Sequence, residues 1–484
     1  MSALDSGVGD GGVPVVVLPR SASLPSRRQP GSVAGPVGGC GGERNWSRPS
    51  DPAATGARRS LASPLRRGVR PGVAPRGIGE GTRRRETSVD VDDDARTIGA
   101  RLRQIRYARD KSLRVIAGLA GISKAHLSRI ERGEVALDSR AQTVALANAL
   151  QVAPSELTRF SVPAPGNGEG EAVKAVRRAL IAVSRDDPAG QVVPVDVLRS
   201  RVAALVAAKK ESDDEQVGRE LPALIRDLHT SMIAGRDVRE LLAEAALLHV
   251  QGSHSFLVAM GATPDLCWQA ALLARRAARE HGGADVVGLA VFGAANGLLA
   301  AGELDAAQAE LDSVTVPTTI PESSQLDGML ALSRSLVAVA DKRPGDMDAP
   351  LEYAAELAVR TGEGNAYWLG FGPTNVGVWR MSVALEARDF ARAARIAEGL
   401  HPELLPSAVR RATYWANYGR ALARVRGRQD DAVKALRKAE LISPAKVQRQ
   451  PFVREVLGEL LVRSRRDAVG RELRGMAYRA GLPV

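Results

Sequence analysis

Residues 119–133 read LAGISKAHLSRIERG, and the glycine inside the stretch decides how it folds. Apolar residues keep helical spacing on both sides of Gly121, with Ile116, Ala117 and Ala120 before it and Ile122, Leu127 and Ile130 after it. A glycine within a continuous helix costs about 1 kcal/mol against alanine, so Gly121 reads as a sharp turn at positive φ. Two short helices then meet at an angle, with Ser123 capping the second and Gly133 ending it.

On the N-terminal side, Ile98, Leu102 and Ile105 share one helical face. The acidic run Asp92, Asp93 and Asp94 precedes them and suits a helix N-terminus. Ser112 caps a helix carrying Leu113, Ile116, Ala117 and Ala120. Beyond Gly133, Ser139 with Gln142 forms an S-x-x-Q capping box before Val144, Ala147 and Leu150. Pro154 opens a fifth short helix ending near Phe160. Residues 95–160 are therefore expected to form one small five-helix domain.

The recurrence Ala117, Gly121, Leu127 has a physical meaning in a helix-turn-helix. Alanine lets the two helices approach, glycine makes the turn, and leucine locks the second helix on the core. Charge points the same way. The net charge of the 484 residues is +12. Residues 1–94 hold 14 arginines against 10 acids, and residues 95–160 hold 12 bases against 5 acids, leaving +1 for the rest. A short basic module joined to a nearly neutral larger one is the electrostatic outline of a nucleic-acid reader with a second function.

Residues 1–94 are rich in Gly, Pro, Ser and Arg without helical or strand period, so they are expected to be disordered. The arginines there read as a solvated tail or as contacts to a polyanion, and a gene start placed too far upstream is the other explanation. Residues 161–170, including VPAPGNGEG, read as a linker. With 44% hydrophobic but only 4% aromatic residues, the remainder favours helices packed through small side chains, and an all-α chain is expected. Only Cys40 and Cys267 are present, which excludes a disulfide framework and a four-cysteine zinc site. Without a basic leader or an apparent apolar run of about 18 residues, the expected location is cytoplasmic, with no membrane partner.

Residues 171–484 carry an internal repeat. GELDAAQAEL, GDMDAPLEYA, RDFARAARIA and GRQDDAVKAL begin at Gly302, Gly345, Arg388 and Gly427. A period near 40 residues with two helices per unit predicts stacked helical hairpins with a long concave face.

The segment IGARLRQIRYARDKSLRVIAGLAGISKAHLSRIERG, with the later VALANALQVAPSEL, resembles the XRE family of lambda-repressor-like helix-turn-helix regulators. That resemblance implies that residues 123–132 are a recognition helix in the DNA major groove, with Ser123, Lys124, Ala125, Ser128 and Arg129 as its DNA-binding positions. Arg106 and Glu131 resemble the family's internal ion pair. The family often has glutamine where this chain has Leu113, so backbone N–H groups or Arg114 would take that phosphate contact. The segments GEGNAYWLGFGPTNVGVWRMSVALEARD, LPSAVRRATYWANYGRALARVRGRQDDAVKALRKAELISP and PFVREVLGELLVRSRRDAVGRELRGMAYRAG resemble the C-terminal tetratricopeptide-like domain of actinobacterial XRE-type regulators. This implies a TPR-like α-solenoid that dimerises or binds a peptide, small-molecule or protein effector.

Residue chemistry agrees with the first resemblance. Lys124 and Arg129 can donate to guanine O6 and N7, and Ala125 can meet a thymine methyl; neutralising phosphates is the alternative for both cations. Arg101, Arg103, Lys111 and Arg114 read as phosphate contacts or solvated charge. His126 reads as exposed or backbone-facing. Asn365, Tyr367, Trp368, Phe371, Asn375 and Trp379 gather in one short stretch and can line an effector pocket or fill a core at a helix junction. Arg380, Arg410 and Arg411 can bind an anion or merely cap helices. No nucleotide-loop, zinc-protease or nucleophile-elbow motif is present; His249 and His254 lie off the spacing of two ligands on one helix, and Cys267 has no base beside it. No enzyme activity, cofactor or metal is therefore expected. The leading expectation is a homodimeric regulator of transcription on double-stranded DNA. The other is a scaffold or antagonist that holds a protein partner and uses DNA only as an anchor.

Overall fold

The computed structural model describes residues 97–158, 167–465 and 467–484, and all regular structure in these residues is helical. The expected tail and most of the expected linker lie outside the described residues. A first group comprises α1 (Ile98–Ala108), α2 (Leu113–Leu119), α3 (Lys124–Glu131), α4 (Arg140–Leu150) and α5 (Pro154–Thr158). Next come α6 (Asn167–Ser184), α7 (Val195–Lys210), α8 (Asp214–Ile233), α9 (Val238–Leu247), a π-helix over Leu248–His254 and α10 (Ser255–Ala259). The repeat region holds α11 (Pro264–His281), α12 (Ala284–Ala301), α13 (Leu304–Asp312), α14 (Pro321–Ala340), α15 (Asp348–Thr361), α16 (Pro373–Glu386), α17 (Phe390–Glu398), α18 (Ala408–Leu422) and α19 (Gln429–Ile442). Three helices close the chain: α20 (Pro444–Gln448), α21 (Pro451–Val462) and α22 (Ala468–Arg479).

Local signals set the first five helices. Thr97, Ser112, Ser123 and Ser139 cap α1 to α4 with their hydroxyls. Gly121 sits at φ +69 with open space around its α-carbon, so the turn requires glycine for its backbone angle alone. Gly99 is different: a Cβ there would lie 2.1 Å from the Ile130 carbonyl oxygen, because α1 and α3 meet backbone to backbone. Gly99→Ala is expected to lower stability by about 1–3 kcal/mol through forced separation of these helices, whereas Gly118→Ala, which meets nothing, should raise it by up to about 1 kcal/mol. Urea unfolding of the two variants checks this; equal midpoints would contradict the close approach. The capping box at Ser139 is only half made. Gln142 donates its backbone N–H to Ser139, but its side chain accepts from Arg388 instead of turning back to the cap.

Four hairpins follow the repeat: α12 with α13, α14 with α15, α16 with α17, and α18 with α19. Each repeated segment supplies the second helix of a hairpin. Gly302, Arg388 and Gly427 hold the turn residues at φ +84, +64 and +78. Arginine takes this strained conformation at 388, where its guanidinium reaches Gln142 of the first domain. The first helices, α12, α14, α16 and α18, pack in succession and form the inner row. The superhelix curls far enough for Ser212 after α7 and Ser443 after α19 to share a hydrogen bond of 2.6 Å.

One expectation needs correction. α12, Ala284–Ala301, is long and apolar enough to cross a membrane by length and composition. Its polar residues, Asp285 and Asn296, are few enough that Ala, Val, Leu and Phe dominate the average. In the fold it packs against α9, α11, α13 and α14, with Ala290, Ala294 and Ala295 almost fully buried.

Candidate nucleic-acid interface

Helix α3 stands on the small domain by Leu127 and Ile130, both fully buried. Its opposite face presents Ser123, Lys124, Ala125 and Arg129 to solvent. Ser128 is half-buried and its hydroxyl accepts from Arg132. Arg129 lies 3.7 Å from Glu134, with both side chains substantially exposed. An exposed pair of this kind contributes no more than about 1 kcal/mol, so Arg129 can exchange Glu134 for a base or phosphate at little cost. His126 is half-buried, and burial together with Arg388 and Arg129 lowers its pKa from the usual histidine value. It is neutral near pH 7.

Arg106 holds α3 against α1. Its Nε and Nη2 donate to the two carboxylate oxygens of Glu131, each at 2.7 Å, with both side chains 5% exposed. The third branch donates to the Lys111 carbonyl at 2.9 Å, and the guanidinium lies over the Tyr107 ring. The hydrogen bond to Glu131 raises the Arg106 pKa further. A bidentate pair with its remaining donor satisfied fixes the angle of the helix, which a single apolar contact cannot do.

The four cations read as phosphate contacts divide into two kinds. Arg103, Lys111 and Arg114 are exposed. Arg101 is turned inward, with its Nε donating to the Glu156 carbonyl at 2.7 Å, and its side chain is 13% exposed. It ties α1 to α5.

Sequence reasoning missed how the small domain is held. Three carboxylates from α16 and α21 accept from its backbone. Glu455 takes the Ile98 N–H at 2.5 Å, Glu459 takes Ala136 at 3.0 Å, and Glu386 takes Ala141 at 3.1 Å together with the Ser139 hydroxyl. Ile98 and Ala141 lie in the first turns of α1 and α4, where unpaired N–H groups and the helix dipole favour negative charge. Arg140 adds an ion pair to Glu386 at 3.0 Å. Burial pushes the Glu455 carboxyl up to about 7 against the N–H groups of Ile98 and Leu137. Arg420 donates to the Asp138 carbonyl and Arg463 to that of Glu134. Phe452 of α21 completes the apolar core of the small domain. The N-cap signal at Ser139 was legible; the cap at Thr97 and the distant carboxylate partners were not.

The six residues read as an effector group are not brought together. Asn365 is exposed, and Trp368 is half-buried. Tyr367 donates to Asp285 at 3.0 Å, and burial with that carboxylate raises its pKa above the usual tyrosine value. Phe371 and Asn375 are fully buried, Phe371 lying against Gly328 and Asn375 beside Met329. Trp379 alone of the six lines the cavity beside the inner helices.

No curated protein and no solved structure matches the chain. The family model for a helix-turn-helix domain matches residues 97–160, the span of the five short helices with Gly121 at the turn and α3 exposed. Residues 97–160 are accordingly a helix-turn-helix DNA-binding domain.

Proposed function

We propose that the chain is a sequence-specific regulator of transcription, in which α3 reads operator DNA and the repeat region dimerises and senses an effector. The observation that carries the reading is the exposed row Lys124, Ala125 and Arg129 on a helix fixed by the buried Arg106–Glu131 pair. Two cations and a methyl group at that spacing suit guanine and thymine edges. One such module makes few base contacts, so a homodimer on half-sites about 34 Å apart is the natural route to tight specific binding. An effector then acts by binding one dimer geometry better than the other.

Selection of genomic DNA fragments by the purified protein tests this. A few enriched sites sharing a motif are expected, with the Lys124→Ala/Arg129→Ala variant losing about tenfold in affinity per side chain. Uniform, salt-sensitive recovery unchanged in the variant would overturn it and favour the scaffold reading, in which DNA is only an anchor.

A further inference from the structure

The inner side of the curled superhelix holds a partly open cavity of about 480 Å³, a size suited to a small organic ligand. Its wall is built from the inner row, from the ends of α7 and α20, and from Arg140 and Thr158 of the DNA-binding domain. Seven Lys and Arg side chains line it against one carboxylate, Glu386. Arg140 pairs with Glu386 at 3.0 Å and Lys209 with Asp214 at 2.8 Å. Among the described residues, Lys210, Arg410 and Lys446 form no ion pair with an acid. Lys210 donates to Gln251, and Arg410 lies 5.9 Å from the Trp379 ring centre.

Burial disfavours the charge on all three cations, and neighbouring positive groups add to it at Lys210 and Lys446. Burial pushes Lys446 down to about 8, with Lys209 and Arg410 adding to the effect while Asp214 opposes it. Lys210 is lowered well below the usual lysine value by burial and then by Arg410, Lys209 and Lys446. Such a cluster is costly unless an anion compensates it. Two further observations lie on the same wall. Trp379 is 6% exposed, and its indole N–H has no hydrogen-bond partner; the Nε2 atom of His254 is likewise buried and unsatisfied. The π-helix Leu248–His254 carries both Gln251 and His254 to the cavity, and such widened turns recur at functional sites.

We propose that this cavity binds a small organic phosphate, with Lys210, Arg410 and Lys446 around the phosphate group and Trp379 and His254 bonding the polar remainder. Two compact ammonium groups and one guanidinium fork match a phosphate or diphosphate group, which carries two or more negative charges in a small volume. A monocarboxylate would leave cations unbalanced. This deepens the sensor reading and rests on it only for the consequence at DNA. That consequence passes through Arg140, which lines the cavity and shares Glu386 with the first turn of α4. An anion that draws Arg140 toward itself weakens the hold of Glu386 on the DNA-binding domain.

The test is thermal unfolding of the full chain at constant ionic strength, with inorganic pyrophosphate and, in parallel, citrate. Pyrophosphate at a hundredfold excess over its Kd is expected to raise Tm on the order of 3 °C. Lys446→Gln should melt at or above the native protein without ligand, because repulsion is relieved, yet bind pyrophosphate at least tenfold more weakly. Lys124→Ala/Arg129→Ala should bind it unchanged. The proposal is overturned if pyrophosphate does no more than chloride, if Lys446→Gln binds it as well as the native protein, or if citrate is equally effective. It is also overturned if Lys124→Ala/Arg129→Ala loses the effect, which would place the anion on α3. Because no DNA is present, failure here leaves operator recognition standing, and failure of fragment selection leaves the cavity standing.

Discussion

Arg106→Met is expected to destabilise the DNA-binding domain by about 3–5 kcal/mol, since it leaves the Glu131 carboxylate buried without its cation. Glu131 is 8% exposed, and both of its oxygens are hydrogen-bonded to Arg106. Methionine keeps much of the stem volume, so the loss reports charge and hydrogen bonding more than packing. The Lys111 carbonyl loses its donor as well. Hydrogen exchange reads the result locally: protection in α1 and α3 should fall while that of α12 to α19 stays as it was. Arg106→Met/Glu131→Leu should recover most of the loss, because replacing both members of a buried pair removes the stranded charge. Unchanged protection of α3 in the single variant would show that the pair does not hold this helix in place.

Arg424→Met is expected to release the domain from the repeat region. Arg424 stands between two buried carboxylates, at 3.2 Å from Asp138 of the DNA-binding domain and in contact with Glu459 of α21. Asp138 and Glu459 are 2% and 3% exposed. Glu459 keeps Arg463 and the Ala136 N–H, but the Asp138 carboxylate loses the cation paired with it. Two buried negative groups then face one another across the junction, for a loss of about 3–5 kcal/mol. The expected readout is faster exchange in the loop 134–139 and in the first turns of α1 and α4, with α3 itself still folded. An Asp138→Asn change on the Arg424→Met background should restore part of the protection by removing one of the opposed charges. Exchange that stays at native rates in the single variant would contradict a dock held by charge.

The two substitutions separate internal folding of the domain from its attachment. Arg106 and Glu131 both belong to the small domain, whereas Arg424 couples it to helices nearly 300 residues away. In the function proposed above that distinction matters, because an effector would act on the attachment while operator recognition would need the internal geometry kept intact.

The sequence by itself determined the local architecture. Gly121 marks its turn because no other residue adopts positive φ at so little cost, and Ser112, Ser123 and Ser139 announce helix starts because their hydroxyls accept N–H groups two or three residues on. The period near 40 residues likewise reads directly as hairpins, since each unit carries its own turn and its own small-residue face. Only the tertiary structure decided what those elements meet. Ile98 and Glu455 are 357 residues apart, yet the carboxylate completes the N-terminus of α1. Gln142 leaves its own cap for Arg388, and of the six residues in the aromatic stretch only Trp379 reaches the cavity. The physical reason is shared: a cap or turn is satisfied by neighbours along the chain, whereas a buried charge takes its partner from whichever helix the fold brings alongside, and no spacing in the sequence encodes that distance.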